Sequence, residues 1–225
     1  MGITNDLYYR IILMRFKDRT DAGKQLVFVL QKNLKIRKKN NYIVISLLRG
    51  GIIIGNEISK SLGIKHFPLI VAKIPSPYNP ELAIGALCFS KRWLDQQMIK
   101  QMGLTNKQLR SAISIAQQKF DNYVNQFSLL EENYRFLKNK NIILTDDGVA
   151  TGATIKAAFL FIKSLRPKKI VLAVPVALTD FSASEFNQVI ILHTSASFSA
   201  VSRFYENFSQ VSNEKVALLI HLSLL

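Results

Sequence analysis

Ile142-Ile143-Leu144-Thr145-Asp146-Asp147-Gly148-Val149-Ala150-Thr151-Gly152-Ala153-Thr154 is the stretch from which the fold is read. Its opening residues are apolar and β-prone, the pattern of a strand buried on both faces, and such strands belong to parallel sheets. The strand delivers two consecutive carboxylates, Asp146 and Asp147, to its carboxyl end, and a loop of small residues then opens a helix. In an open α/β sheet, ligands bind at that end of the strands. Gly148, Gly152 and Ala153 permit close backbone approach, so amides of the loop and of the helix N-terminus can surround a phosphate, with the hydroxyls of Thr151 and Thr154 as further donors. Two carboxylates beside a phosphate cradle would repel a bare polyphosphate. They suit a pair of sugar hydroxyls instead, and the ligand implied is a ribose 5-phosphate. The alternative, two acids in a solvated turn, leaves unexplained why carboxylates this scarce stand together behind an apolar run.

Outward from this segment the same strand and helix alternation continues. Tyr42 to Leu48 is a second buried strand, broken by Arg49-Gly50-Gly51 and followed by a helix from about Ile53 to Leu62 that Gly63 stops. Upstream, Asp21 to Lys39 has apolar residues at helical spacing and closes in Lys35, Arg37, Lys38 and Lys39, which complement the helix dipole. Phe67 to Lys73 reads as another strand, and Pro75-Ser76-Pro77-Tyr78-Asn79-Pro80 as a loop. From about Trp93 to Leu137 the chain is polar and helical, with Thr105 as a cap. Downstream, Ile155 to Leu165 forms a helix ended by Arg166-Pro167, and Ile170 to Val176 and Val189 to Leu192 are buried strands with a capping box at Ser182 to Glu185 between them. The fold class expected is α/β, a doubly wound, mainly parallel sheet flanked by helices. The organisation expected is an extension over residues 1–14 and a single domain over 15–225, with a helical insertion at about 88–138 and a C-terminal hood at about 196–225.

Composition narrows the partners. The 225 residues carry 30 Lys+Arg against 15 Asp+Glu, a formal charge of +15, while 48% are hydrophobic. A chain this apolar is not intrinsically disordered, and its charge favours anionic partners. Cys88 is the single cysteine and cannot form an internal disulfide, which suits a reducing cytoplasm. No apolar run reaches the roughly 18 residues of a membrane span, so no membrane partner is expected.

The segment around Asp146 resembles the phosphoribosyl pyrophosphate (PRPP) signature of the type I phosphoribosyltransferases: a hydrophobic strand, two acids and a T-G-x-T loop. Further blocks resemble, in order, those of a bacterial family of predicted phosphoribosyltransferases: Phe16-Lys17-Asp18-Arg19-Thr20-Asp21-Ala22-Gly23, Leu48-Arg49-Gly50-Gly51, Asn79-Pro80-Glu81-Leu82-Ala83-Ile84-Gly85-Ala86 and Tyr205-Glu206-Asn207-Phe208-Ser209-Gln210. Such chains commonly begin near the position of Met14, which implies that Met1 to Leu13 is an extension or a misassigned start.

The resemblance implies roles. Asp146 and Asp147 hold the ribose hydroxyls, and Gly148, Val149, Ala150, Thr151, Gly152, Ala153 and Thr154 form the 5-phosphate loop. Arg49, Gly50 and Gly51 form the pyrophosphate loop, where related enzymes often have a cis peptide, here Leu48–Arg49. Lys73 either reaches the same diphosphate or is solvated. Magnesium binds mainly through ligand oxygens and water, with Asp146 and Asp147 as the protein oxygens available to it. The reaction implied is displacement of pyrophosphate from ribose C1 by a nitrogenous base, purine-like rather than pyrimidine, under a mobile loop at Pro75 to Cys88. Glu81 in that loop handles the proton or else caps a helix, and Phe198 stacks on the base or else joins the core. Two departures from relatives stand out: Ala150 replaces the acid of 6-oxopurine members, as adenine-type members tolerate, and Ala72 and Pro75 replace Arg and Gly. A homodimer is expected. The second reading is a PRPP-sensing regulator that binds nucleic acid, because nine cations from Arg15 to Lys39 oppose only Asp18 and Asp21.

Overall fold

The computed structural model describes residues 15–34, 41–80, 82–196 and 200–224. The expected extension at Met1 to Leu13, Glu81, Phe198 and the basic cluster Lys35, Arg37, Lys38 and Lys39 lie outside the described residues.

Five strands form one parallel sheet: β1 (Tyr42–Leu47), β2 (Lys65–Leu69), β6 (Asn141–Thr145), β7 (Lys169–Leu178) and β8 (Gln188–Ser195), in the order β2-β1-β6-β7-β8. The central strands are buried on both faces, which is why their sequences read as continuous apolar runs. On one face Val44, Ile143, Val171 and Ala173 pack against α1 (Arg19–Asn33) and α2 (Gly51–Leu62). On the other, Ile43, Ile45, Ile142, Leu144 and Leu172 pack against α5 (Ala153–Ser164). Gly63 caps α2 at φ 61°, the left-handed stop that its sequence predicts.

The chain leaves β1 toward β2 on one side, and β6 enters on the other. The turns at the carboxyl ends of β1 and β6 therefore diverge, and a crevice opens between them at the topological switch point.

A second, antiparallel sheet joins β3 (Ala72–Pro75), β4 (Ala83–Cys88) and β5 (Lys91–Leu94), and three expectations change with it. Phe67 to Lys73 is not one strand: β2 ends at Leu69 and β3 begins at Ala72 in the other sheet, because a continuous apolar run carries no mark of where the chain changes partners. Pro75 to Cys88 is not all loop, since Ala83–Cys88 is a wholly buried central strand. The insertion is not wholly helical either. It begins with β5 and continues through α3 (Gln96–Gln101), α4 (Asn106–Phe127) and a 3-10 helix (Glu131–Leu137). Thr105 caps α4 as expected and forms a reciprocal capping box with Gln108.

Two further corrections concern the second half. The capping-box pattern at Ser182 to Glu185 starts no helix, and β7 passes to β8 through turns alone. β8 is the sheet edge and only half-buried, rather than a buried strand. The chain continues through a 3-10 turn (Val201–Phe204) to α6 (Asn213–Leu224). At the N-terminus, α1 starts two residues before the expected Asp21, with Asp18 accepting from the Asp21 amide at 2.9 Å, and ends at Asn33 because Leu34 is extended.

Candidate active site

Asp146 and Asp147 follow β6 directly, in the crevice. The Asp147 amide donates to Asp146 Oδ1 at 2.9 Å, which fixes one carboxylate against the backbone of the other residue. Facing them is the turn Arg49-Gly50-Gly51. A Cβ on Gly51 would lie 2.9 Å from both the Cα and Oδ1 of Asp146, and one on Gly50 would overlap the Asp147 carboxylate. Glycine is required at both positions by the close approach of the two turns. The Leu48–Arg49 peptide is cis, as expected from the resemblance.

Arg19, to which the local sequence assigns no role in the site, is the partner of Asp147. Its Nε donates to Asp147 Oδ2 at 2.8 Å and its Nη1 to the Ser209 carbonyl at 2.9 Å, while the guanidinium carbon lies 3.7 Å from the Phe208 ring centroid. The side chain is only 10% exposed. The Tyr205 hydroxyl donates to the Asp147 carbonyl at 2.6 Å, so acid and backbone are held from the same side. This clamp rests on a stitched pair of segments: Phe16 N donates to Phe204 O, Glu206 N to Phe16 O and Asn207 N to Lys17 O. A signal for Arg19 was present in the sequence. It shares the helical face of Ala22, Leu26 and Leu30, all buried, so a cation sat in an apolar stripe.

Burial pushes the Asp146 carboxyl well above the ordinary carboxylate range, and repulsion from Asp147 adds to it. Burial also raises Asp147, with the charge and hydrogen bond of Arg19 pulling it back. Lys73 opposes the rise in both. Burial, followed by the Asp147 charge, holds the Tyr205 phenol protonated, as its donor role requires. Asp146 Oδ1 and Asp147 Oδ2 therefore have donors within the fold, and both acids border one cleft.

A cleft of about 270 Å³ opens in front of the acids. Arg49 borders it from the β1–α2 turn and Lys73 from β3, so a cationic side faces the carboxylates. Lys119 and Tyr123 line it from α4. Nothing in the local sequence separated these two from the other polar residues of that long helix.

The loop from Gly148 to Thr154 is pinned to β7, with the Val149 amide donating to Val176 O at 2.9 Å and Leu178 N donating back to Val149 O. Gly152 sits at φ 75° as the N-cap of α5 and has no side chain to close the helix end, and an added Cβ would strike the Phe181 ring. Ala153 N donates to Thr151 Oγ1 at 3.4 Å, and Thr154 borders the acid cleft. Among the described residues, no group of three or more His, Cys, Asp or Glu side chains could hold a metal ion. The oxygens available to one are the two carboxylates, which fits a cation carried mainly by its ligand's own oxygens. No helix among the described residues is long and apolar enough to cross a membrane.

A strand-borne acid pair, a glycine-bounded turn and a helix N-terminus thus surround one crevice at the carboxyl edge of the α/β sheet. The phosphoribosyl transferase domain model matches residues 21–184, and the chain belongs to that family. Curated proteins of two Mycobacterium tuberculosis strains, named provisionally as phosphoribosyl transferases, are 32% identical over 217 residues. The match covers 91% of this chain and 46% of theirs, so the chain spans about half the length of these relatives. The crystal structure of the protein TT1426 from Thermus thermophilus superposes with a TM-score of 0.67 at 28% identity, covering 92% of this chain and 98% of that one.

Proposed function

We propose that the protein is a PRPP-dependent phosphoribosyltransferase that transfers the ribose 5-phosphate unit to a nitrogenous base of purine-like shape. The observation that carries this reading is the acid pair lining a single cleft together with Arg49, Lys73 and Lys119. A substrate with a diol, a terminal phosphate and a diphosphate matches that division of charge.

In this reading the carboxylates of Asp146 and Asp147 accept hydrogen bonds from the ribose 2′ and 3′ hydroxyls. Amides of Gly148 to Thr154, with the Thr151 and Thr154 hydroxyls, bind the 5-phosphate at the open end of α5. Arg49, the amides of Gly50 and Gly51, Lys73 and Lys119 surround the diphosphate. The reaction breaks the bond from C1 to the diphosphate oxygen and forms one from C1 to the base nitrogen; the nitrogen's proton is lost and pyrophosphate departs with the bonding electron pair. The chain contributes positioning and stabilisation of the departing charge rather than covalent chemistry. Glu81, in the segment before β4, is the proposed proton acceptor, and Phe198 the proposed stacking residue. Magnesium, held by the diphosphate with Asp146 and Asp147 in reach, would supply neutralising charge to the leaving group.

The test is pyrophosphate release from PRPP and magnesium over a panel of purine and pyrimidine bases. Base-dependent release with at least one purine supports the reading, and absence of release with every base, despite PRPP binding, removes the transferase activity.

A further inference from the structure

Two arginines stand beside the acid pair, and their partners differ in kind. Arg19 is held by a carboxylate, that of Asp147, which neutralises it. Arg49, which borders the cleft from the turn after β1, donates through Nη1 to the side-chain amide oxygen of Asn213, Oδ1, at 3.4 Å. This second contact spans 164 positions of sequence, and both residues are half-buried.

The packing of the C-terminal helix explains how Asn213 comes to lie there. Asn213 is the first residue of α6, whose buried side chains Val216, Leu219 and Ile220 recur at helical spacing. They join the apolar cluster that holds Ile52 of α2 and Ala72 of β3, which sets the start of α6 next to the β1–α2 turn. The helix closes its own N-terminus one residue earlier. Lys215 N donates to Ser212 Oγ at 3.3 Å and Val216 N to Ser212 O at 3.0 Å, so the Asn213 side chain is not needed as the cap.

The chemistry of the partner decides what the contact can do. A carboxylate at this place would hold the guanidinium at roughly 2.7–2.9 Å and cancel its charge. An amide oxygen at 3.4 Å gives the planar group a direction and leaves its charge in place. With Nη1 turned to Asn213, the other donors of the fork stay available to an anion, and an oriented fork loses less freedom when it binds one.

We propose that Asn213 is a positioning residue for the diphosphate end of the cleft: it orients the Arg49 guanidinium and leaves the positive charge to the ligand. The inference deepens the PRPP reading and rests on it.

The experiment is calorimetric titration, with magnesium, of PRPP and of ribose 5-phosphate, which lacks the diphosphate. Asn213→Ala should bind PRPP about 3- to 10-fold more weakly than wild type, the worth of one neutral hydrogen bond. Asn213→Asp should bind it more weakly still, because the new carboxylate neutralises Arg49 and repels the diphosphate. Ribose 5-phosphate should bind both variants as it binds wild type. Asn213→Asp should also melt no lower than wild type, since a carboxylate in the first turn suits the helix dipole, and its weaker binding is then not misfolding. In an Arg49→Gln background, Asn213→Ala should add no further loss, the mark of action through Arg49. Wild-type affinity for PRPP in Asn213→Ala, tighter binding in Asn213→Asp, an additive loss in the Arg49→Gln background, or an equal loss for ribose 5-phosphate would overturn the inference and leave the PRPP reading standing. A wild-type chain that binds no PRPP would overturn both.

Discussion

The Arg19 guanidinium donates through Nε to Asp147 Oδ2 at 2.8 Å across 128 positions of sequence, with both side chains largely buried. This contact joins the first turn of α1 to the acid pair, and through Ser209 and Phe208 it joins the C-terminal segment as well. Removing one member of a buried pair leaves the other charged and uncompensated, at a cost of about 3–5 kcal/mol. Arg19→Gln should therefore lower the melting temperature by about 10 °C, at roughly 2–4 °C per kcal/mol for a chain of this size. Asp147→Asn should destabilise likewise, and the double variant by less than the sum, with a coupling of at least about 1 kcal/mol. Additive losses in denaturant unfolding would show that the pair contributes no mutual stability.

Asp146 should behave in the opposite way. Burial and its neighbour's charge raise its carboxyl above the ordinary value, so the folded chain holds that proton more tightly than the unfolded chain. Stability contributed by this residue then falls as pH climbs from the ordinary carboxylate range through the raised value. Asp146→Asn removes the ionisation, and the variant should melt higher than wild type near pH 8 and converge with it near pH 4, close to the unfolded carboxyl. Thermal melts across that range check the sign; a variant less stable than wild type at the upper end contradicts it.

At Gly51 two effects compete. Near a helix start, alanine gains up to about 1 kcal/mol over glycine from propensity. The new methyl group would stand 2.9 Å from the Asp146 Cα, a backbone atom that cannot rotate away, and overpacking of this kind costs about 1–3 kcal/mol. Packing should prevail, so Gly51→Ala lowers both the melting temperature and the affinity for PRPP, measured by calorimetry on one preparation.

Lys119 tests whether α4 takes part in the site. It is exposed on α4 and lines the acid cleft, so Lys119→Gln should leave the melting temperature unchanged. Loss of a charged hydrogen bond to diphosphate, about 1.5–3 kcal/mol, should lower kcat/KM by about 10- to 100-fold. Lys107→Gln on the same helix should have no such effect in the same steady-state assay.

The acid pair and its loop were legible because each residue type there is unusual in its setting: carboxylates behind a buried strand, then glycine and threonine where a helix begins. The doubly wound sheet followed from apolar runs that only double-sided burial explains. Arg19 belongs to the site through tertiary pairing, and the helical stripe that buries it does not reveal which acid it meets. The β2–β3 boundary lies within an uninterrupted apolar run, so burial could be read there but strand partnership could not. At Ser182 to Glu185 a good local cap starts no helix, because the residues that follow pass directly into the edge strand β8. Lys119 and Tyr123 enter the cleft by the docking of α4, which no local pattern encodes.

The most direct test is calorimetric titration of the wild-type chain and of Asp146→Asn/Asp147→Asn with PRPP and magnesium. Saturable one-to-one binding by wild type, and its loss in a double variant that retains cooperative unfolding, is the predicted result. Equal affinity in the two proteins would contradict the assignment of the ribose to the acid pair.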